Sequence, residues 1–190
     1  MSHRKKLDKS FFIALFICLI LLLGLFFLVK KHDNFSFLKP SKNHEFSTEN
    51  SNFWLRIDKL KIKAPVAENV DGENKKKYNE TLTHALAHYK GTSLPNGKSN
   101  VFIFGHSDSD LDKGPFRDIF AKLNDLNNGD KITVYYKGNY YHYTVREKKV
   151  VRANNVSVLK QGPEEILTLM TCWPVGTKDK RLVVIAGLDK

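Results

Sequence analysis

Thr168-Leu169-Met170-Thr171-Cys172-Trp173-Pro174 is followed, nine residues beyond the cysteine, by Arg181-Leu182-Val183-Val184-Ile185-Ala186. Ile166 to Leu169 read as strand, Trp173-Pro174 as a turn, and Leu182 to Ala186 as the next strand. If these runs are neighbours, the Cys172 thiol and the Arg181 guanidinium project from the same end of one sheet. A thiol is a useful nucleophile only as thiolate, and a nearby cation lowers its pKa. Arginine does not give up its proton, so an acid or base must come from elsewhere. His106, in Phe102-Ile103-Phe104-Gly105-His106-Ser107, closes another apolar strand and is the candidate.

Outward from these runs the chain breaks into short apolar segments at 53–58, 60–66, 85–89, 100–105, 131–136, 140–151, 165–171 and 181–187. They are rich in Val, Ile, Tyr and Phe. Turn signals separate them: Asp71-Gly72, Asn96-Gly97, Asn128-Gly129-Asp130 and Lys137-Gly138-Asn139, the last a hairpin signal between two Tyr-rich runs. Two short helices are expected, one near 78–84 and one from Pro115 to about Leu126. In the second, Phe116, Ile119, Phe120 and Leu123 share a face at helical spacing, and Pro115 suits the first turn. Many short strands with few helices predict a mainly all-β domain, a closed or nearly closed barrel over residues 53–190. That length can bury a core unaided.

Phe11 to Val29 are nineteen residues without a charge. At 1.5 Å per residue they span roughly 28 Å, enough to cross a bilayer core. Arg4, Lys5, Lys6 and Lys9 precede them against Asp8 alone, which favours a cytoplasmic N-terminus and an extracytoplasmic body. Phe26-Phe27-Leu28-Val29-Lys30-Lys31 offers no small-residue cleavage site, so an uncleaved anchor is expected over a signal peptide. The expected organisation is a basic cytoplasmic tail (1–10), a transmembrane signal-anchor (11–29), an extracytoplasmic linker (30–52) and a catalytic domain (53–190). The linker is poor in apolar residues and reads as a flexible or loosely packed stalk.

The net charge of +11 divides into +5 in residues 1–31, from six Lys/Arg and one Asp, and +6 in the remainder, from 25 Lys/Arg and 19 Asp/Glu. About half is therefore topology signal. The rest is scattered in pairs and triplets such as Lys75-Lys76-Lys77, which reads as a solvated surface in preference to a weak attractor of anionic wall polymers or lipid headgroups. No nucleic-acid-binding module is present, and nucleic acid is not an expected partner. Of the two cysteines, Cys18 lies mid-membrane on this reading and cannot pair with Cys172. The unpaired extracytoplasmic thiol is a liability unless it is used.

These residues resemble the sortase family. The resemblance rests on Leu60-Lys61-Ile62-Lys63-Ala64-Pro65-Val66 as opening strand, and on His88 to Asn96 with Asn100 to His106 as the histidine segment. Thr168-Leu169-Met170-Thr171-Cys172 matches the TLxTC signature, and Arg181-Leu182 the arginine strand. It covers roughly residues 53 to 188. It implies a closed eight-stranded barrel and an acyl transfer by Cys172, His106 and Arg181. Cys172 would attack a backbone carbonyl and His106 would exchange protons with the leaving and incoming amines. Arg181 would hold substrate and stabilise the oxyanion, and Thr171 would help position substrate through its hydroxyl. The implied partners are secreted proteins with a C-terminal Leu-Pro-x-Thr-Gly-like signal, and an amine on a peptidoglycan precursor or a pilin lysine; no cofactor is implied. Residues 30–52 hold no Asp-Pro lid and no second span follows, which favours protein anchoring over pilus assembly. The short Cys-to-Arg interval points the other way, and the class stays open.

A papain-like hydrolase would need its cysteine before its histidine, and the order here is reversed. A non-catalytic membrane-anchored barrel that binds wall polymers or peptides is the alternative to the enzyme. His84, His88 and His142 rival His106, but only His106 ends a strand after glycine. His84 and His88 have the i, i+4 spacing of a zinc pair without an evident acidic third ligand. Asp108 to Gly114 resembles a calcium loop but carries Lys113 at the sixth position and Ile119 at the twelfth, so no metal site is expected.

Overall fold

In the computed structural model the described residues are 44–45, 51–108 and 114–190. The expected basic tail, the transmembrane segment 11–29 and most of the 30–52 linker lie outside them. No helix among the described residues is long and apolar enough to cross a membrane.

Among the described residues nine strands form one sheet: β1 (His44–Glu45), β2 (Phe53–Ile57), β3 (Ile62–Val70), β4 (Leu86–Tyr89), β5 (Asn100–Phe104), β6 (Lys131–Tyr136), β7 (Asn139–Arg152), β8 (Ile166–Trp173) and β9 (Lys180–Leu188). Pairing runs β3-β2-β6-β7-β9-β8-β5-β4 and returns from β4 to β3. The eight strands expected from the sequence therefore close into a barrel, which removes long unpaired edges. β1, within the expected linker, adds a two-residue parallel pairing to the start of β3.

Local chemistry explains the joints. Lys137 and Gly138 connect β6 to β7 with φ of 46° and 89°, the two positive values that a two-residue hairpin turn needs. Asn139, expected in the turn, pairs instead with Tyr136. β3 runs past its expected end at residue 66 to Val70, with a register shift between Ala67 and Val70 and Asn69 at φ 53°.

Strand period two sorts the side chains into two apolar clusters. Inside the barrel lie Val101 and Ile103 of β5, Leu167 and Leu169 of β8, and Leu182, Val184 and Ala186 of β9. The alternate residues Phe102 and Phe104 form a second cluster on the outer face with Val70, Leu82 and Ala87, joined by the half-buried Met170 and Tyr89. Each fully buried Leu or Phe contributes about 1.5–3 kcal/mol.

One helix is displaced and one is replaced. Helix α1 spans Lys75–Thr81 rather than 78–84, because Asn74 Oδ1 accepts the Lys77 N–H and starts it early. The expected helix from Pro115 to Leu126 is instead a chain of turns, closing in a 3-10 turn at Leu123–Asp125. Its bonds are i to i+3: Ala121 N–H to Asp118 and Leu123 N–H to Phe120. Phe120 N–H leaves this series and donates to the His106 carbonyl at 2.9 Å, removing a donor that an α-helical ladder would use. The apolar spacing still describes burial, since Phe116, Ile119, Phe120 and Leu123 all pack into the interior.

Candidate active site

The parallel register of β5 on β8 pairs Asn100 with Ile166 through Phe104 with Met170, a constant offset of 66. Gly105 N–H donates to the Met170 carbonyl at 3.2 Å and carries the pairing onward. His106 lies two residues beyond Phe104 in the last recorded pair, and Cys172 two residues beyond its partner Met170 on the neighbouring strand. On the other side of β8, Cys172 pairs directly with Arg181 of β9. Thiol and guanidinium thus sit on adjacent strands, about 4.8 Å apart, and the imidazole stands just past the end of β5, the neighbour on the other side of β8.

Parity fixes which way they face. His106 alternates with Phe102 and Phe104, Cys172 with Thr168 and Met170, and Arg181 with Val183 and Ile185, none of which belongs to the barrel interior. All three line one cavity of about 430 Å³ on the outer face. Its floor is Phe102, Phe104 and Met170, with α1 contributing Tyr78 and the loop after β7 contributing Val158. Cys172, His106 and Arg181 are each half-buried, so the thiol is neither sealed in the core nor freely solvated.

The backbone beneath these residues is held firmly. Phe120 N–H fixes the His106 carbonyl, as above. Gly105 has no room for a side chain: a Cβ there would stand 2.6 Å from Leu86 Cδ2 and 3.1 Å from Phe120 Cδ2. Arg181 donates from Nη1 to the carbonyls of Lys178 (3.0 Å) and Lys180 (2.9 Å), which anchors one edge of its fork. Among the described residues Nε and Nη2 make no such bond, and they remain as donors for a ligand.

Thr171 is buried, and its Oγ1 donates to the Gly105 carbonyl at 2.9 Å. The hydroxyl expected to contact substrate thus donates to the carbonyl of the residue before His106, and Thr171 also lines the cavity. Thr171→Val leaves that carbonyl without its partner. We expect it to destabilise the fold by about 1–3 kcal/mol in thermal or denaturant melts, and to lower activity through misplacement of His106.

The rival histidines sit elsewhere. His84 is exposed beside Thr83, and His142 lies 3.3 Å from Thr133 Oγ1. His88 is fully buried: Nδ1 accepts the Asn69 N–H at 3.2 Å, so Nε2 carries the proton toward the Ser93 carbonyl at 2.9 Å. Burial pushes its pKa below the ordinary value, opposed by the Ser93 hydrogen bond and the Glu68 charge. The unfolded chain, titrating near 6.5, then takes up its proton before the folded one does. Stability is expected to fall as pH drops through about 6.5 and to level off below the folded pKa. Melts between pH 5 and 8 test this, and His88→Gln should flatten the profile.

Among the described residues no group of three His, Cys, Asp or Glu side chains is placed to hold a metal ion. Of the polar run Asp108–Gly114, residues 109–113 lie outside the described residues. Sequence reasoning passed over Asp108 and Lys178, which also line the cavity. Asp108 follows His106 by two, which was its available signal.

Comparison with known proteins agrees with this geometry. A family model for the sortase domain matches residues 55–189. Sortase D of Bacillus subtilis is 25% identical over 134 residues, covering 68% of this chain and 60% of that protein. Sortase A of Listeria monocytogenes is 32% identical over 94 residues, covering 50% of this chain and 40% of that protein. The chain thus spans less than two thirds of the length of either. The crystal structure of sortase C-1 from Actinomyces oris superposes with a TM-score of 0.64 at 26% identity, covering 76% of this chain and 77% of that one.

Proposed function

The chain belongs to the sortase family, and on that premise we propose that it is a membrane-anchored cysteine transpeptidase. Its donor substrate is a secreted protein with a C-terminal Leu-Pro-x-Thr-Gly-like signal, cut between Thr and Gly. Its acceptor is an amine of a peptidoglycan precursor or of a pilin. Residues 11–29 hold it in the cell membrane with residues 1–10 inside, and the domain at 53–190 works outside. The observation that best supports this reading is that His106 lines one cavity with the paired residues Cys172 and Arg181.

The Cys172 thiolate attacks the Thr carbonyl carbon, forming a C–S bond and placing negative charge on the carbonyl oxygen. Arg181 faces that oxygen with its remaining N–H groups. Collapse breaks the C–N bond, and the imidazolium of His106 gives its proton to the departing amine. The resulting thioester is activated toward amines and must be shielded from water, which a half-buried sulfur on an apolar floor provides. An incoming amine gives a proton to His106 and attacks the thioester carbon. The C–N bond forms, the C–S bond breaks, and thiolate and imidazolium are restored. An acceptor arriving as ammonium sheds one further proton to solvent.

The test is to mix the detergent-solubilised full chain with a Leu-Pro-x-Thr-Gly peptide, with and without triglycine, and identify products by mass. Triglycine-dependent ligation is expected. Hydrolysis alone would remove the transfer step, and an intact peptide would favour the non-catalytic binding barrel.

A further inference from the structure

We propose that Asp108 is the docking residue for the acceptor, reading the positive charge of an incoming ammonium beside His106. This inference rests on the transpeptidase reading above and assigns one residue to its second half-reaction.

The cavity is electrostatically lopsided. Lys75, Lys178 and Arg181 line it, and among the described residues Asp108 is the one acidic side chain that does. An acceptor that enters as R–NH3⁺ is repelled by three cations, so a carboxylate is needed wherever it is to pause. Arg181 is committed to the acyl oxygen, on the β9 side of Cys172. The amine must deliver a proton to His106, on the β5 side of the same sulfur. The acceptor therefore has to approach within reach of His106, and Asp108, two residues further along the chain, lines the same cavity.

The carboxylate is built to hold a cation there. Arg117 donates to Asp108 Oδ1 from both Nε (3.2 Å) and Nη2 (3.0 Å). Both bonds go to one oxygen, which orients the group, and among the described residues no donor reaches Oδ2. Oδ2 points toward Gly176, in the loop that leads from Cys172 to Arg181. A Cβ at Gly176 would stand 3.7 Å from it. Gly176 has a φ of 82° and carries no side chain to stand against that oxygen. The carboxylate is 29% exposed, wet enough to exchange ligands yet sheltered enough for its charge to be felt.

Acceptor charge separates this role from a structural one. Triglycine is an ammonium at pH 7.5, whereas hydroxylamine is neutral there and attacks the same thioester. For Asp108→Asn in the full chain, the KM for triglycine is expected to rise roughly fivefold, the range of a partly exposed ion pair. The KM for hydroxylamine should move by less than about twofold, since a neutral nucleophile gains little from the lost charge. Arg117→Gln, which frees the carboxylate from its competitor, is expected to lower the KM for triglycine. Equal effects of Asp108→Asn on both nucleophiles, or no effect on either, would overturn the assignment. Absence of any thioester in the wild-type protein is a different failure, and it would remove the transpeptidase reading itself.

Discussion

Cys172→Ala is expected to abolish turnover, with a loss of at least about 10⁴-fold in kcat/KM, while leaving the barrel intact. Without sulfur no covalent intermediate can form, and His106 and Arg181 have nothing to serve. The fold should tolerate the change because Cys172 is half-buried on the outer face and takes no part in the interior cluster. Its backbone pairing with Arg181 is unaffected by the side chain. A melting temperature within a few degrees of the wild type, alongside absent product, is the expected pair of results. Residual turnover near the wild-type rate would remove Cys172 from the chemistry.

Arg181→Lys is expected to lower kcat/KM by about 10²–10³-fold, comparable to the loss of an oxyanion donor. Charge is conserved in this variant, so the cost reports geometry. The guanidinium makes two bonds from Nη1 to the Lys178 and Lys180 carbonyls and presents its other edge to the cavity. A single ammonium cannot grip the loop and face the substrate oxygen together. Single-turnover acylation with the peptide is the measurement, and unchanged rates would leave Arg181 with a structural role alone.

Strands were legible in the sequence because period-two alternation and Gly-bearing turns are local signals. All eight barrel strands lie where the apolar runs stand, and the pairing of β5 with β8 puts His106 and Cys172 just beyond its last recorded pair, in one cavity. Residues 115–126 were less legible. Their apolar spacing marked the buried face, but the hydrogen-bonding pattern depends on Phe120 N–H finding the His106 carbonyl, a tertiary event with no local signature. Thr171 illustrates the same limit at the site. A hydroxyl next to the cysteine invites a substrate role, and only the packing of β5 against β8 reveals that the Gly105 carbonyl claims it. Beyond its nearness to His106, Asp108 gave no sequence signal, because its worth depends on three cations gathered from α1, the β8–β9 loop and β9.

The central claim is that Cys172, served by His106 and Arg181, carries an acyl group as a thioester. The direct measurement is intact mass of the full chain, trapped at acid pH within seconds of mixing with a Leu-Pro-x-Thr-Gly peptide. The expected result is an adduct equal to the peptide minus its Gly-terminal part, located on Cys172 and discharged by hydroxylamine. A folded wild-type protein that stays at its unmodified mass would contradict the account, as would an adduct that survives in Cys172→Ala.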